Sequence, residues 1–309
     1  MDPLLVVVAY AAIAVFLVAI VVRYRRIQRY PLHVRWEIYP VPHEGKRSLH
    51  GGSRLEEGDW WEKEHRPDRL MEARFMVPEM LFIKALFEHN RKLWYRSFPF
   101  HFGFYVLAVF LLLLLVRVGI GFAGGQAPVA LDVVSTAIGV VGFVLTLVGA
   151  LGLLVMRLTD SDMRPYSNMS HYFNLLFIVV ALGTLLAGWI AAGWSLAPFD
   201  RFLGALLTFD LGADVGSPLM AAGLLLTMLL VAYIPLTHMS HFFVKWFTWH
   251  KIRWDDEPNV KGGRIEKLIQ NALNSPVTWS ASHVTGGGAK TWAEVAVEGT
   301  SKKDKDNAS

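Results

Sequence analysis

Four of the eleven histidines differ from the rest in their surroundings. His101, His171, His238 and His241 fall within or at the edge of long apolar runs, while His33, His43, His50, His65, His89, His250 and His283 lie in polar stretches. An ionisable side chain at membrane depth is costly and usually functional, and a desolvated imidazole favours its neutral form, the form that ligates a metal. His101 stands near the start of one apolar run and His241 near the end of another, so on antiparallel helices the two are expected at matched depth. A bis-histidine b heme needs that arrangement, with one imidazole from each of two facing helices and the porphyrin between them. Spacing alone leaves a plainer alternative open, interfacial histidines hydrogen-bonded to headgroups or backbone. His171 and His238 are candidates for a second heme or for hydrogen-bonding a quinone. Phe104, Tyr105 and Ala108, one turn from His101, are expected to wall the macrocycle. Arg91, Lys92, Arg96, Arg164 and Lys245 are candidate propionate counter-ions, and Pro235 is expected to bend the fifth helix one turn before His238.

The elements that must position these residues follow from hydropathy. Runs at roughly 4–22, 99–122, 132–156, 172–194 and 218–244 can each cross about 30 Å of hydrocarbon as helix. The expected fold is an all-α integral membrane bundle of about five transmembrane helices, with a cytoplasmic loop domain and an extended C-terminal tail. The connection 23–98 carries 16 Lys and Arg, whereas 123–131 carries no charge and 195–217 has one Arg against three Asp. By the positive-inside bias, 23–98, 157–171 and the tail are cytoplasmic and the amino terminus faces outward. The expected division is a first transmembrane helix at 1–22, a cytoplasmic loop at 23–98, a four-helix heme-binding core at 99–245 and a cytoplasmic tail at 246–309. Within the loop, PLHVRWEIYPVPHEG at 31–45 and Trp60–Trp61 suggest a folded cap, and 76–98 suggests an interfacial amphipathic helix before the chain turns down at Pro99. In the tail, 264–273 is a helical candidate, an extended piece carries Trp279 and Trp292, and the last nine residues are expected to be disordered.

Composition excludes several chemistries. The chain has 309 residues, 53% of them hydrophobic, and no cysteine. It therefore cannot ligate an iron–sulfur cluster, hold a c-type heme by thioethers or use a dithiol pair, so any such cofactor belongs to another subunit. The net charge of +4 is a topology signal rather than a nucleic-acid footprint. The first apolar run follows Asp2, is followed by Arg23, Arg25, Arg26 and Arg29, and lacks a small-residue cleavage site, so it reads as a retained helix.

Two motifs resemble a known family. FHFGF at 100–104 is similar to the start of the second helix in the cytochrome b (gamma) subunit of respiratory nitrate reductases, and PLTHMSH at 235–241 to its fifth-helix motif. The resemblance implies that His101 and His241 are the axial ligands of the heme nearer the cytoplasmic subunits. It covers roughly 99–245. The family's second heme uses a histidine ten residues after the first, where this chain has Leu111, and another on the fifth helix, where 218–230 has none. A second heme would then use His171 and His238 at the same cytoplasmic level as the first. The long loop and tail look more like the cytochrome b subunits of sulfate-reducer-type transmembrane redox complexes. The resemblance implies electron exchange between a membrane quinone, commonly menaquinone, and a cytoplasmic iron–sulfur subunit similar to that of heterodisulfide reductase, with further complex subunits and membrane lipid as surroundings. Two rival readings are the cytochrome b subunit of a formate dehydrogenase or hydrogenase, which would want ligands on the first helix, and a heme-free anchor or proton-path protein. Residues 4–22 contain no histidine.

Overall fold

Long runs of leucine, valine and alanine can satisfy every backbone N–H and C=O internally only as helices once water is excluded, and that is the form they take. The computed structural model describes residues 2–29, 57–59, 62–63, 68–212, 214–241, 243–244, 260–281 and 287–298. The expectations for 31–45, Trp60–Trp61, Lys245 and the last nine residues lie outside them. Five helices are long and apolar enough to cross a membrane, which makes the chain a multi-pass all-α membrane protein. In chain order the elements are α1 (Asp2–Arg29), α2 (Arg69–Phe82), α3 (Lys84–His89), α4 (Arg91–Phe122), α5 (Val129–Thr159), α6 (Met169–Ala191), α7 (Ala197–Thr208), α8 (Pro218–Tyr233) and α9 (Arg264–Leu273). Among the described residues there is no strand, only an isolated antiparallel bridge between Pro276 and Thr291.

The chain forms two compact units. One comprises Met1–Ile20 and Ala73–Ser240, the other Val21–Glu72 and His241–Ser309. In the first, α4 to α6 and α8 run up, down, up and down, with α4 packed on α5, α5 on α6 and α6 on α8, while α4 and α8 make no extended contact. The close pairs are built on glycine. A Cβ at Gly103 would sit 2.5 Å from the Thr146 backbone nitrogen, and one at Gly149 would sit 2.4 Å from that of Phe100. Gly188 and Gly223 likewise admit Met220 and Leu185 from across the α6–α8 seam. Helices in lipid gain little from the hydrophobic effect between them, so close van der Waals packing at small residues supplies the association.

Three sequence expectations change. Pro99 does not turn the chain: α4 runs through it, and the turn is made earlier, at Ile83 in the left-handed region (φ 52°) and at Asn90, whose side chain accepts from the Leu93 amide at 3.0 Å. A proline costs one N–H to the carbonyl four residues back, which a helix at a membrane edge tolerates. Pro235 does not bend the fifth helix but ends it, since α8 stops at Tyr233 and two single 3-10 turns follow, Ile234–Leu236 and His238–Ser240. The connection 195–217 is not all loop. Its α7 buries Phe199, Phe202 and Ala205, an i, i+3, i+6 face, and Tyr10 of α1 donates to the Leu206 carbonyl at 2.5 Å while stacking on Phe209 at 5.4 Å.

Candidate functional site

The helix starts at one end of the bundle explain where the histidines stand. α6 opens with a capping box: Asn168 accepts from the His171 amide at 3.2 Å, and the His171 Nδ1 accepts from the Asn168 amide at 3.1 Å. The proton of a neutral His171 therefore sits on Nε2. A ring 5.0 Å away and inclined by 66° belongs to His238. Tyr233 donates to the Asn174 Oδ1 at 2.8 Å, which orients that amide so that its Nδ2 donates to the His238 Nε2 at 3.3 Å. Asn174 is almost fully buried, so this chain satisfies a polar side chain that would otherwise be orphaned in an apolar interior. Tyr172 donates to the Arg157 carbonyl, and Arg157 donates to the Ser167 hydroxyl, which ties the ends of α5 and α6 together beside the pair.

His101 occupies a different level. Its Nδ1 donates to the Ser97 carbonyl at 2.7 Å, one turn back on α4, so the lone pair of a neutral ring is on Nε2. Phe100 lies edge-on to the imidazole at 5.1 Å and to Phe104 at 5.2 Å. Phe100 faces Gly149 on α5, whereas Tyr172, the neighbour of His171, reaches Arg157. Eight residues of α5 separate those two contacts, which places Phe100 and its neighbour His101 deeper along α5 than the Tyr172 hydroxyl. His238 and His241 are exposed and follow the end of α8 instead of riding on it. His241 begins the second stretch of the second unit, and His101 belongs to the first. The structure thus brings His171 and His238 together, and ties the His101 Nδ1 to the Ser97 carbonyl on α4.

Other expected contacts resolve differently. Tyr105 donates to the Met80 carbonyl at 2.8 Å and so braces α2, and Ala108 is exposed. Lys92 pairs with Asp160, Arg96 donates to the Lys92 carbonyl at 2.6 Å, and Arg91 lies over the Phe87 ring at 4.7 Å. Asp160, outside the spans, has its carboxyl held below the usual range by the Lys92 ammonium and by the backbone amides of Asp162 and Met163.

The opposite end carries a charged cluster that histidine-centred reading missed. Arg117 of α4 is nine-tenths buried, donates to both carboxylate oxygens of Asp200 on α7 at 2.8 and 3.3 Å, and pairs with Asp132 at the start of α5. An open pocket of about 350 Å³ lies against it, lined by Arg117, Gly121, Phe122, Gly125, Asp200 and Arg201 among others. The signal was present as a lone arginine inside the second apolar run. Asn174, a lone amide in the fourth, was equally legible.

No family model, curated protein or solved structure matches the chain.

Proposed function

We propose that the chain is the heme b membrane subunit of a respiratory redox complex, relaying electrons between a membrane quinone such as menaquinone and a cytoplasmic iron–sulfur subunit. The observation that carries this reading is His101: a half-buried imidazole in a membrane helix whose Nδ1 is tied to the Ser97 carbonyl, so that a neutral ring carries its lone pair on Nε2. The pattern of a backbone carbonyl on one ring nitrogen and a metal on the other is the usual way a ligand histidine is oriented. The donor set fits b heme, because His101 offers iron an imidazole and the chain, with no cysteine, offers neither a thiolate ligand nor a thioether tether. His101 and His241 are the proposed axial ligands, as the resemblance to the nitrate reductase gamma subunit implies. A bound heme would supply reversible one-electron storage in the membrane interior, and Phe100 and Phe104 would shield it from water.

Charge supports the proposed orientation in an inner membrane. Lys84, Arg91, Lys92, Arg96, Arg157 and Arg164 cluster at the end where α4 starts, whereas Asp132, Asp200, Asp210 and Asp214 sit at the other end with Arg117 and Arg201. The basic end is therefore cytoplasmic. The tail offers the docking surface for the soluble partner: Trp279 and Trp292 meet edge-on at 6.3 Å yet stay 47% and 45% exposed. A reduced-minus-oxidised spectrum of the purified chain tests the cofactor. His101→Ala and His241→Ala should each abolish the low-spin b signal, and a full signal in either variant would refute the ligand assignment. Deleting 262–309 should release the soluble subunit without loss of heme.

A further inference from the structure

The polar cluster at the cytoplasmic end has hydrogen-bonding polarity that can be worked out atom by atom. Tyr233 donates to Asn174, Asn174 donates to the Nε2 of His238, and the Asn168 amide donates to the Nδ1 of His171. Each of these two imidazoles thus has its lone pair engaged by an N–H. That is the wrong polarity for axial ligation of iron, which needs the lone pair, and for His171 it is the right polarity for meeting an oxygen acceptor with the Nε2–H. His171 presents its Nε2–H beside the His238 ring, and Asn174 retains a second amide N–H. Among the described residues no group of three metal ligands occurs here.

The apolar surroundings have a matching shape. Phe173, Phe177 and Tyr233 contact one another with ring centroids 5.6–5.7 Å apart, immediately deeper in the bundle than His171. Phe173 is 53% exposed, and Leu176 and Val180 continue the same lipid-facing stripe along α6 at 51% and 45%. An aromatic face open to lipid, with neutral N–H donors at its polar edge and an apolar track leading inward, suits one chemistry: a flat ring bearing a carbonyl oxygen and a long hydrocarbon tail.

We propose that a membrane quinone binds here from the lipid phase, its ring against Phe173, its tail along Leu176 and Val180, and one carbonyl oxygen accepting from His171. This rests on the quinone-reactive reading above and adds the site to it. The test uses the purified full-length chain in detergent, titrated with menadione and with menaquinone-4 and followed by quenching of intrinsic tryptophan fluorescence, with the b-heme spectrum and helical circular dichroism recorded for every variant. Loss of one neutral hydrogen bond predicts binding about tenfold weaker in His171→Ala. His171→Gln, which keeps an N–H donor, should recover most of that loss, a rescue that a purely structural role would not give. Phe173→Ala should weaken menaquinone-4 as well. Arg201→Gln, in the pocket at the opposite end, should bind as the wild type does. Undiminished binding in His171→Ala and Phe173→Ala overturns this site while leaving quinone reactivity standing, and a loss confined to Arg201→Gln moves the site to the other end. Absence of binding to the wild-type chain, with heme intact, overturns the quinone reading together with the site.

Discussion

Replacing Gly149 by alanine isolates the contact that sets the distance between α4 and α5. A Cβ there would lie 2.4 Å from the Phe100 amide nitrogen, 2.6 Å from its Cα and 2.7 Å from its Cβ. Favourable contact between such atoms needs about 3.5 Å, so the helices must part by about 1 Å at this level, and backbone atoms offer no rotamer by which to yield. Overpacking of this kind costs about 1–3 kcal/mol, and the rigid partner places the value toward the upper end. Alanine also favours a helix over glycine by about 1 kcal/mol, which masks part of the loss. Gly183, in the interior of α6, serves as the control because a Cβ there meets nothing within 4 Å. Helix propensity cancels between the two variants, and the difference between Gly149→Ala and Gly183→Ala should equal the overpacking cost of about 1–3 kcal/mol. Unfolding in mixed micelles, titrated with dodecyl sulfate and followed by tryptophan fluorescence, measures both. Equal stability of the two variants would refute the claim that glycine sets this seam. Phe100 adjoins His101, so the proposed heme should also be retained less well in Gly149→Ala than in Gly183→Ala.

Arg117→Leu should leave Asp132 and Asp200 without their cation and loosen α7, at a cost between the roughly 1 kcal/mol of an exposed pair and the roughly 3–5 kcal/mol of a buried one; limited proteolysis of 195–217 should show it. The Lys92–Asp160 tether should be acid-sensitive: the folded carboxyl titrates below its ordinary value, so its contribution is complete above about pH 4 and is lost as pH falls through the depressed value. Lys92→Met should remove that part of the acid transition, and an unchanged pH profile of α4–α5 unfolding would count against it. Protease added outside right-side-out vesicles should spare 23–98 and 246–309, and cleavage near Trp60 or Trp279 from that side would reverse the orientation.

The five spans were legible because length and apolarity suffice to specify a transmembrane helix; boundaries lengthened where polar residues continue a helix, as at Arg91–Phe98 and Arg23–Arg29, and the fifth shortened where Pro235 follows the end of α8 at Tyr233. The helical candidate at 264–273 stands as Arg264–Leu273. α7 was missed although Pro198, Phe199, Phe202 and Leu206 carry a helical start and period, because a search for membrane-length runs passes over twelve residues. What no spacing could supply was which polar groups meet. Arg117 finds Asp200 83 positions away, and Asn174 finds Tyr233 and His238 at 59 and 64. Those partners are selected by packing, through glycines whose value shows only when the opposite backbone is in place.

The two ends solve the problem of buried polarity in different ways, and the difference bears on which end does chemistry. At the α7 end a buried guanidinium is neutralised by two partly exposed carboxylates, and removing the guanidinium leaves both without their cation. Such a cluster locks one geometry. At the histidine end Tyr233, Asn174 and His238 are joined by hydrogen bonds of 2.8 and 3.3 Å, His171 accepts from the Asn168 backbone amide at 3.1 Å, and the nearby cation Arg157 is tied to Ser167; each neutral bond contributes about 1 kcal/mol net. A ligand oxygen can exchange for one of those bonds at almost no cost, and no ligand could displace the arginine pairs on the same terms. A site that must take up and release a substrate from the bilayer belongs where partners are exchangeable, so ligand-dependent changes in hydrogen exchange should fall on α6 at Asn168–Asn174 and leave Arg117 and α7 unmoved.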